Sequence, residues 1–171
     1  MTRPLEQVSV AALVGRAGIA RATFYLHHRG LEALAVDACA GLVREAVDAL
    51  HAWRGVPDPV NPLPALLGFF AGAADHVALY RALLTPGGGG PLGGVLHREL
   101  RERSRSERAL AGAPEPDLVA SAVAATFAGT LADWAHGLID ATPDRIAHLV
   151  WRLLVALHRT PVGGLPSGPA R

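Results

Sequence analysis

Apolar residues recur at helical spacing along most of the chain, and no persuasive alternation of apolar and polar positions marks a strand. Val10, Leu13, Val14 and Ala17 fall at i, i+3, i+4 and i+7. Ser9 stands before them as a cap and Gly18 after them as a left-handed stop. A second short helix is expected over roughly residues 20–28, ended by Arg29 and Gly30. A long helix follows from about Leu31 to Trp53, with Leu31, Leu34, Ala38, Leu42 and Leu50 along one side. At the helical rise per residue it spans about 34 Å, enough to join a small head to a larger body.

The segment GVPDPVNPLP, residues 55–64, reads as a linker, because its four prolines forbid a continuing helix. Helical pattern resumes at about Leu63 and runs to Leu84, with a break near His76. TPGGGGPLGG, residues 85–94, is expected to be a flexible loop. Gly88, Gly90 and Gly93 match a dinucleotide fingerprint there by chance, since no strand precedes them. The next helix, roughly 95–110, carries HRELRERSRSER at 97–108, whose five Arg and three Glu suit a solvated face with spaced ion pairs.

Residues 117–139 are apolar nearly all round and rich in Ala and Gly, which predicts a helix covered on more than one side. Thr142 as cap and Pro143 at the first helical position open the last helix. There Ile146, Leu149, Val150, Leu153, Leu154 and Leu157 trace an apolar stripe. Residues 117–139 and 143–158 of two copies would bury these faces together across a two-fold axis, giving a homodimer. Packing of both helices inside one monomer is the competing arrangement. Residues 160–171 are expected to be a disordered tail.

The fold class is therefore all-α. Half of the residues are apolar and 18% are charged, which is a globular composition. All 16 basic residues are Arg, so a phosphate-loop lysine, a Schiff-base lysine and any ammonium-based mechanism are excluded. The single Cys39 forms no internal disulfide, and the first ten residues lack a secretory apolar stretch, which points to the cytoplasm. The charge-free stretches 60–74 and 118–132 fall short of a bilayer span, so no membrane partner is expected. The net charge of +1 divides unevenly: residues 1–30 hold four Arg against one Glu, +3, and the rest hold twelve Arg against fourteen acids, −2. A basic head on a near-neutral body suits a polyanion partner.

The stretch VSVAALVGRAGIARATFYLHHRGLEAL, residues 8–34, resembles the helix-turn-helix of the TetR family of bacterial repressors. Ser9 and Val10 match the start of that pattern, Leu13 its core hydrophobe, and Ala17, Gly18 and Ile19 the turn. Thr23, Phe24, Tyr25 and His27 match the recognition helix, and Glu32 and Leu34 open the connecting helix. ALYRALLTPG (78–87) and ADWAHGLIDATPDRIAHLVWRLL (132–154) are similar to segments of the family's ligand-binding part. The resemblance implies three regions: a helix-turn-helix head over 1–34, a helical ligand-binding and dimerisation bundle over 35–159, and the tail from 160. It implies a ligand-responsive DNA-binding transcriptional regulator, a repressor acting as a homodimer on a double-stranded DNA operator and released by a small apolar effector.

The expected DNA contacts are Ser9, Arg16, Arg21, Thr23, Tyr25, His27 and Arg29. Arg21 can donate to guanine or phosphate, Thr23 and Tyr25 offer hydroxyls to phosphate or a face to a thymine methyl, and His27, Arg16 and Arg29 add backbone contacts. Phe24 is expected to point inward. The candidate effector pocket comprises Leu66, Phe69, Phe70, Leu100, Phe127, Trp134 and His136, with Gly68 and Gly72 leaving room. The chain departs from the family pattern in several places. Only MTRPLEQ precedes the helix-turn-helix, where the family has a further helix, so Val10, Leu13, Val14 and Phe24 are expected to stay partly exposed. Leu31 replaces a backbone-contacting lysine, Ala20 a capping serine, and His28 an aromatic core residue.

Two other readings stand beside this one. A helical ligand-binding or dimerising module that has lost DNA binding would share the body and the shortened head. A metalloenzyme is suggested by Asp48 with His51 and Asp133 with His136, each at i, i+3, but four ligands cannot be assembled from them. His97 with Glu99 lacks the paired cysteines of a deaminase, and no nucleophile motif occurs. No enzyme, cofactor or metal site is expected.

Overall fold

The computed structural model describes residues 7–52 and 57–159, with side chains 50–52 set aside. Among these residues there are eight α-helices and no strand. They are α1 (Val10–Ala17), α2 (Arg21–His27), α3 (Leu31–Ala52), α4 (Pro64–Asp75), α5 (Val77–Leu83), α6 (Gly90–Leu110), α7 (Pro116–Ala135) and α8 (Pro143–Arg159). The expected disordered tail, from residue 160, lies outside the described residues.

The head forms as its local signals dictate. The Ser9 hydroxyl accepts the Ala12 N–H at 3.1 Å, and Gly18 closes α1 in the left-handed region at φ 67°. Ala20 begins α2 without a side-chain cap. Val10 and Leu13 stay half-buried as expected, but Val14 and Phe24 are buried, at 7% and 3% exposure. The rings of Tyr25 and His28 lie beside Phe24, at 5.2 and 5.8 Å between centroids. His28 thus takes the aromatic position as a half-buried ring.

Helix α3 turns a different side inward from the one expected. Its buried positions are Ala35, Cys39, Ala40, Val43 and Ala46, whereas Ala38 and Leu42 are exposed and Leu31 and Leu34 half-buried. Small side chains let α3 approach α4, α5 and α6 closely, and the bulkier leucines fall outside that contact. The centre of the body is aromatic. Phe70 meets Phe69 at 5.2 Å and Trp134 at 5.5 Å, and Phe69 meets Phe127 at 5.7 Å.

Residues 85–94 are not a flexible loop. Thr85 pairs with Gly89 in a tight turn, and α6 begins at Gly90, five residues earlier than the pattern indicates. The glycines are there for close approach: a Cβ on Gly88 would lie 2.7 Å from the Gly129 nitrogen, and one on Gly93 2.1 Å from the Gly88 carbonyl. Helix α7 likewise ends at Ala135, short of residue 139. Gly137, at φ 76°, reverses the chain, and Leu138 N–H returns to the Asp133 carbonyl at 2.8 Å. Arg81 completes the end by donating Nε and Nη2 to the Ala135 carbonyl, at 3.0 and 2.9 Å.

At 20 residues, α7 has the length and mean hydropathy, 1.4 over its most apolar window, of a bilayer-crossing helix. Here its apolar surface is used within the fold, against α5, α6 and α8. The α8 stripe divides. Ile146, Val150 and Leu154 enter the monomer core, Leu149 and Leu157 are half-buried, and Leu153 faces outward. Thr142 caps α8 as expected, its hydroxyl accepting Arg145 N–H at 3.2 Å.

Candidate nucleic-acid interface and effector groove

Because Gly18 sets a sharp turn and Phe24 anchors α2 from inside, the remaining side chains of α2 are directed to solvent. Arg21, Thr23, Tyr25 and His27 are exposed on it, with Arg16 on α1 and Arg29 just beyond α2. Six of the seven expected DNA contacts therefore share this small head with their functional groups open. The seventh, Ser9, is also exposed but has its hydroxyl engaged as the α1 cap. The Arg21 guanidinium lies 5.7 Å from the Tyr25 ring centroid, a cation–π approach that pre-orients both groups.

Among the described residues, Arg16, Arg21 and Arg29 take part in no ion pair. Their charge is uncompensated locally. The head also exposes apolar surface, with Leu26 at 81% and Ile19 at 44%.

The expected pocket set does not converge on one cavity. Leu66, Phe70, Leu100, Phe127 and Trp134 are packed in the core. The Trp134 Nε1–H donates to the Ala141 carbonyl at 2.9 Å, and His136 Nε2 lies 2.8 Å from the Leu84 carbonyl, which ties α7 to the end of α5. Only Phe69 of the seven lines an open groove, of about 460 Å³, between α3 and α4. Its other walls are Leu42, Glu45, Ala46, Ala65, Gly68, Gly72, Ala73 and His76. Gly68 and Gly72 do leave room, since a Cβ on either meets nothing within 4 Å. The α3 residues of the groove escaped the sequence reading because their helix is rotated from the expected face. The signal that pointed to the site was the pair of glycines.

The two Asp/His pairs are dispersed. Asp133 accepts the Gly87 N–H at 2.8 Å and Asp48 pairs with Arg103 at 3.3 Å, while the His51 side chain lies outside the described residues. Among the described residues no three His, Cys, Asp or Glu converge as metal ligands. Burial pushes the Cys39 thiol up to about 11, the neighbouring Tyr80 acting in the opposite sense, and the thiol remains protonated. No known protein family, no curated protein and no solved structure matches this chain.

Proposed function

We propose that this chain is a TetR-type, DNA-binding transcriptional regulator in the cytoplasm that acts as a homodimer and is controlled by a small apolar effector. The observation that carries the reading is the α1–turn–α2 head. A buried Phe24 fixes a short helix whose open side bears Arg21, Thr23, Tyr25 and His27, beside the exposed Arg16 and Arg29, which make no ion pair among the described residues. Such a helix fits the major groove, with the arginines neutralising phosphates and Arg21 in reach of a base edge.

The outer faces of the last two helices support self-association. On α7, Leu118 is 60% exposed, on the side shared with Ala122 and Ala125. On α8, Leu153 is 47% exposed beside Leu149. Paired across a two-fold axis, these faces would set two heads in successive major grooves, about 34 to 36 Å apart. The α3–α4 groove is the effector site in this reading, because its volume suits a small molecule and α3 leads directly from the head. An effector acts by favouring the conformer whose heads no longer match both half-sites.

Selection of duplexes from a random pool at low salt, followed by gel shift, tests the reading. The expected outcome is enrichment of a palindrome with half-sites one helical turn apart. Recovery of unrelated sequences would refute it. A second reading, a ligand-binding dimeric module without DNA affinity, is favoured by the exposed Leu26 and Ile19 on the head. It predicts a dimer in sedimentation that shifts no duplex.

A further inference from the structure

The last turns of α6 bury a charge that pairs with no carboxylate among the described residues. Arg108 is 7% exposed and Ser104, one turn earlier on the same face, 6%. Among the described residues, the Arg108 Nε and the Ser104 Oγ have no hydrogen-bond partner. Arg108 Nη2 donates to the Pro114 carbonyl at 3.2 Å, which holds the guanidinium against the turn between α6 and α7. The neighbouring carboxylates are directed to other arginines: Glu107 lies 2.9 Å from Arg103 Nε, and Asp117 3.2 Å from Arg101 Nη2. Glu115, in the same turn, is exposed.

That turn has two further features. Glu115 adopts φ 46° and ψ 52°, a left-handed conformation unfavourable for a side chain with a Cβ, and it provides α7 with no side-chain cap. Pro116 has no N–H, so the free donors at the start of this 20-residue helix belong to Asp117 and Leu118. The Arg108 guanidinium is held at this turn by the Pro114 carbonyl, and the buried Ser104 hydroxyl lies one turn back, on the stretch of α6 that Arg101 joins to Asp117 at the uncapped start of α7. All three are donors, and the first is cationic.

We propose that Arg108, Ser104 and the start of α7 form a binding site for a small oxyanion, a phosphate or carboxylate group. Arg108 Nε and the Ser104 hydroxyl donate to its oxygens, and its charge compensates the buried guanidinium. The site is separate from the head and from the α3–α4 groove, so it stands independently of the DNA-binding reading.

The full-length protein, without DNA, is titrated with sodium phosphate and separately with sodium acetate, ionic strength being held constant with sodium chloride. The melting temperature and the arginine Nε–Hε NMR signals are followed. One of the two salts is expected to raise the melting temperature saturably, by about 3–5 °C at ten times its Kd, and to move one Nε–Hε signal. A phosphate response identifies a phosphoryl ligand and an acetate response a carboxylate. Arg108→Met abolishes both effects, and Ser104→Ala weakens the apparent affinity several-fold. A rise that grows linearly without saturating is the general effect of the salt, and it overturns the proposal, as does a saturable rise that survives in Arg108→Met. If Arg108→Met does not fold, the Nε–Hε signals of the wild-type decide, and their failure to move at high phosphate and high acetate overturns the site.

Discussion

The arginines of the head and those of α6 are the same residue in opposite situations. On α6, Arg101, Arg103 and Arg105 are tied to Asp117, Asp48, Glu107 and Glu102. On the head, Arg16, Arg21 and Arg29 are exposed and none makes an ion pair among the described residues. The α6 cluster is denser in sequence, yet acids at helical spacing and on neighbouring helices pair with three of its five arginines. The sparser head keeps its charge available for a polyanion. The two regions differ as much in their cores. The head buries two apolar side chains, Val14 and Phe24, whereas the body encloses a continuous core running through all six remaining helices.

Truncating a core aromatic in each region tests this separation with the largest effect. Phe70→Ala, at a position with no exposure, is expected to destabilise the whole body by about 3–5 kcal/mol. Phe24→Ala should instead abolish hydrogen-exchange protection over residues 10–27 while leaving the body's melting temperature nearly unchanged. Equal loss of body stability in both variants would merge the two regions into one unit. Alkaline pH separates them next. Cys39 rises from 9.0 to about 11 by burial, and Tyr80 is shifted upward as well, chiefly by burial. Both groups are neutral when protonated, so the contribution of Cys39 is intact below pH 9. It is then lost progressively up to about pH 11, because the unfolded thiol ionises first, for a total of about 3 kcal/mol. Denaturant midpoints measured against pH should show this decline in the body, and Cys39→Ala should flatten it.

Substitution of the arginines themselves comes third. Arg21→Ala and Arg29→Ala are each expected to lower duplex affinity roughly tenfold and to reduce the slope of log K against log salt by about 1. The same change at Arg101 or Arg105 should leave binding unaltered and stability within about 1 kcal/mol, as for other exposed ion pairs. Anisotropy titrations across a salt series would read both, and equal losses on head and α6 would remove the contrast drawn above. The smallest effect belongs to the groove. Gly68→Ala and Gly72→Ala add a methyl to open space in a helix, and each should stabilise by about 0.5–1 kcal/mol while reducing uptake of an apolar fluorescent probe.

Local signals in the chain were sufficient for several helix starts and stops that depend on a single cap, though not for the end of α7, where Gly137 reverses the chain short of residue 139. Ser9, Gly18, Thr142 and Pro143 act where their chemistry places them, because a cap hydrogen bond or a left-handed residue needs only its immediate neighbours. The break at His76 and the paired face of α6 are of the same kind. The head's exposed residues were also legible, since a buried Phe24 on a seven-residue helix leaves the other side chains few directions.

Packing between distant segments decided the rest. Composition says that glycines are permissive, but only α7 lying against Gly87 and Gly88 turns TPGGGGPLGG from a loose segment into a tight turn and a helix start. Periodicity allows α3 more than one inward face, and the neighbouring helices select the one made of small residues. Most of the expected pocket residues are packed in the core for a related reason: an aromatic side chain fills space as readily as it lines it. The partners of Phe70, Phe127 and Trp134 come from helices up to 64 residues apart in sequence, so burial and cavity were settled only when those helices met.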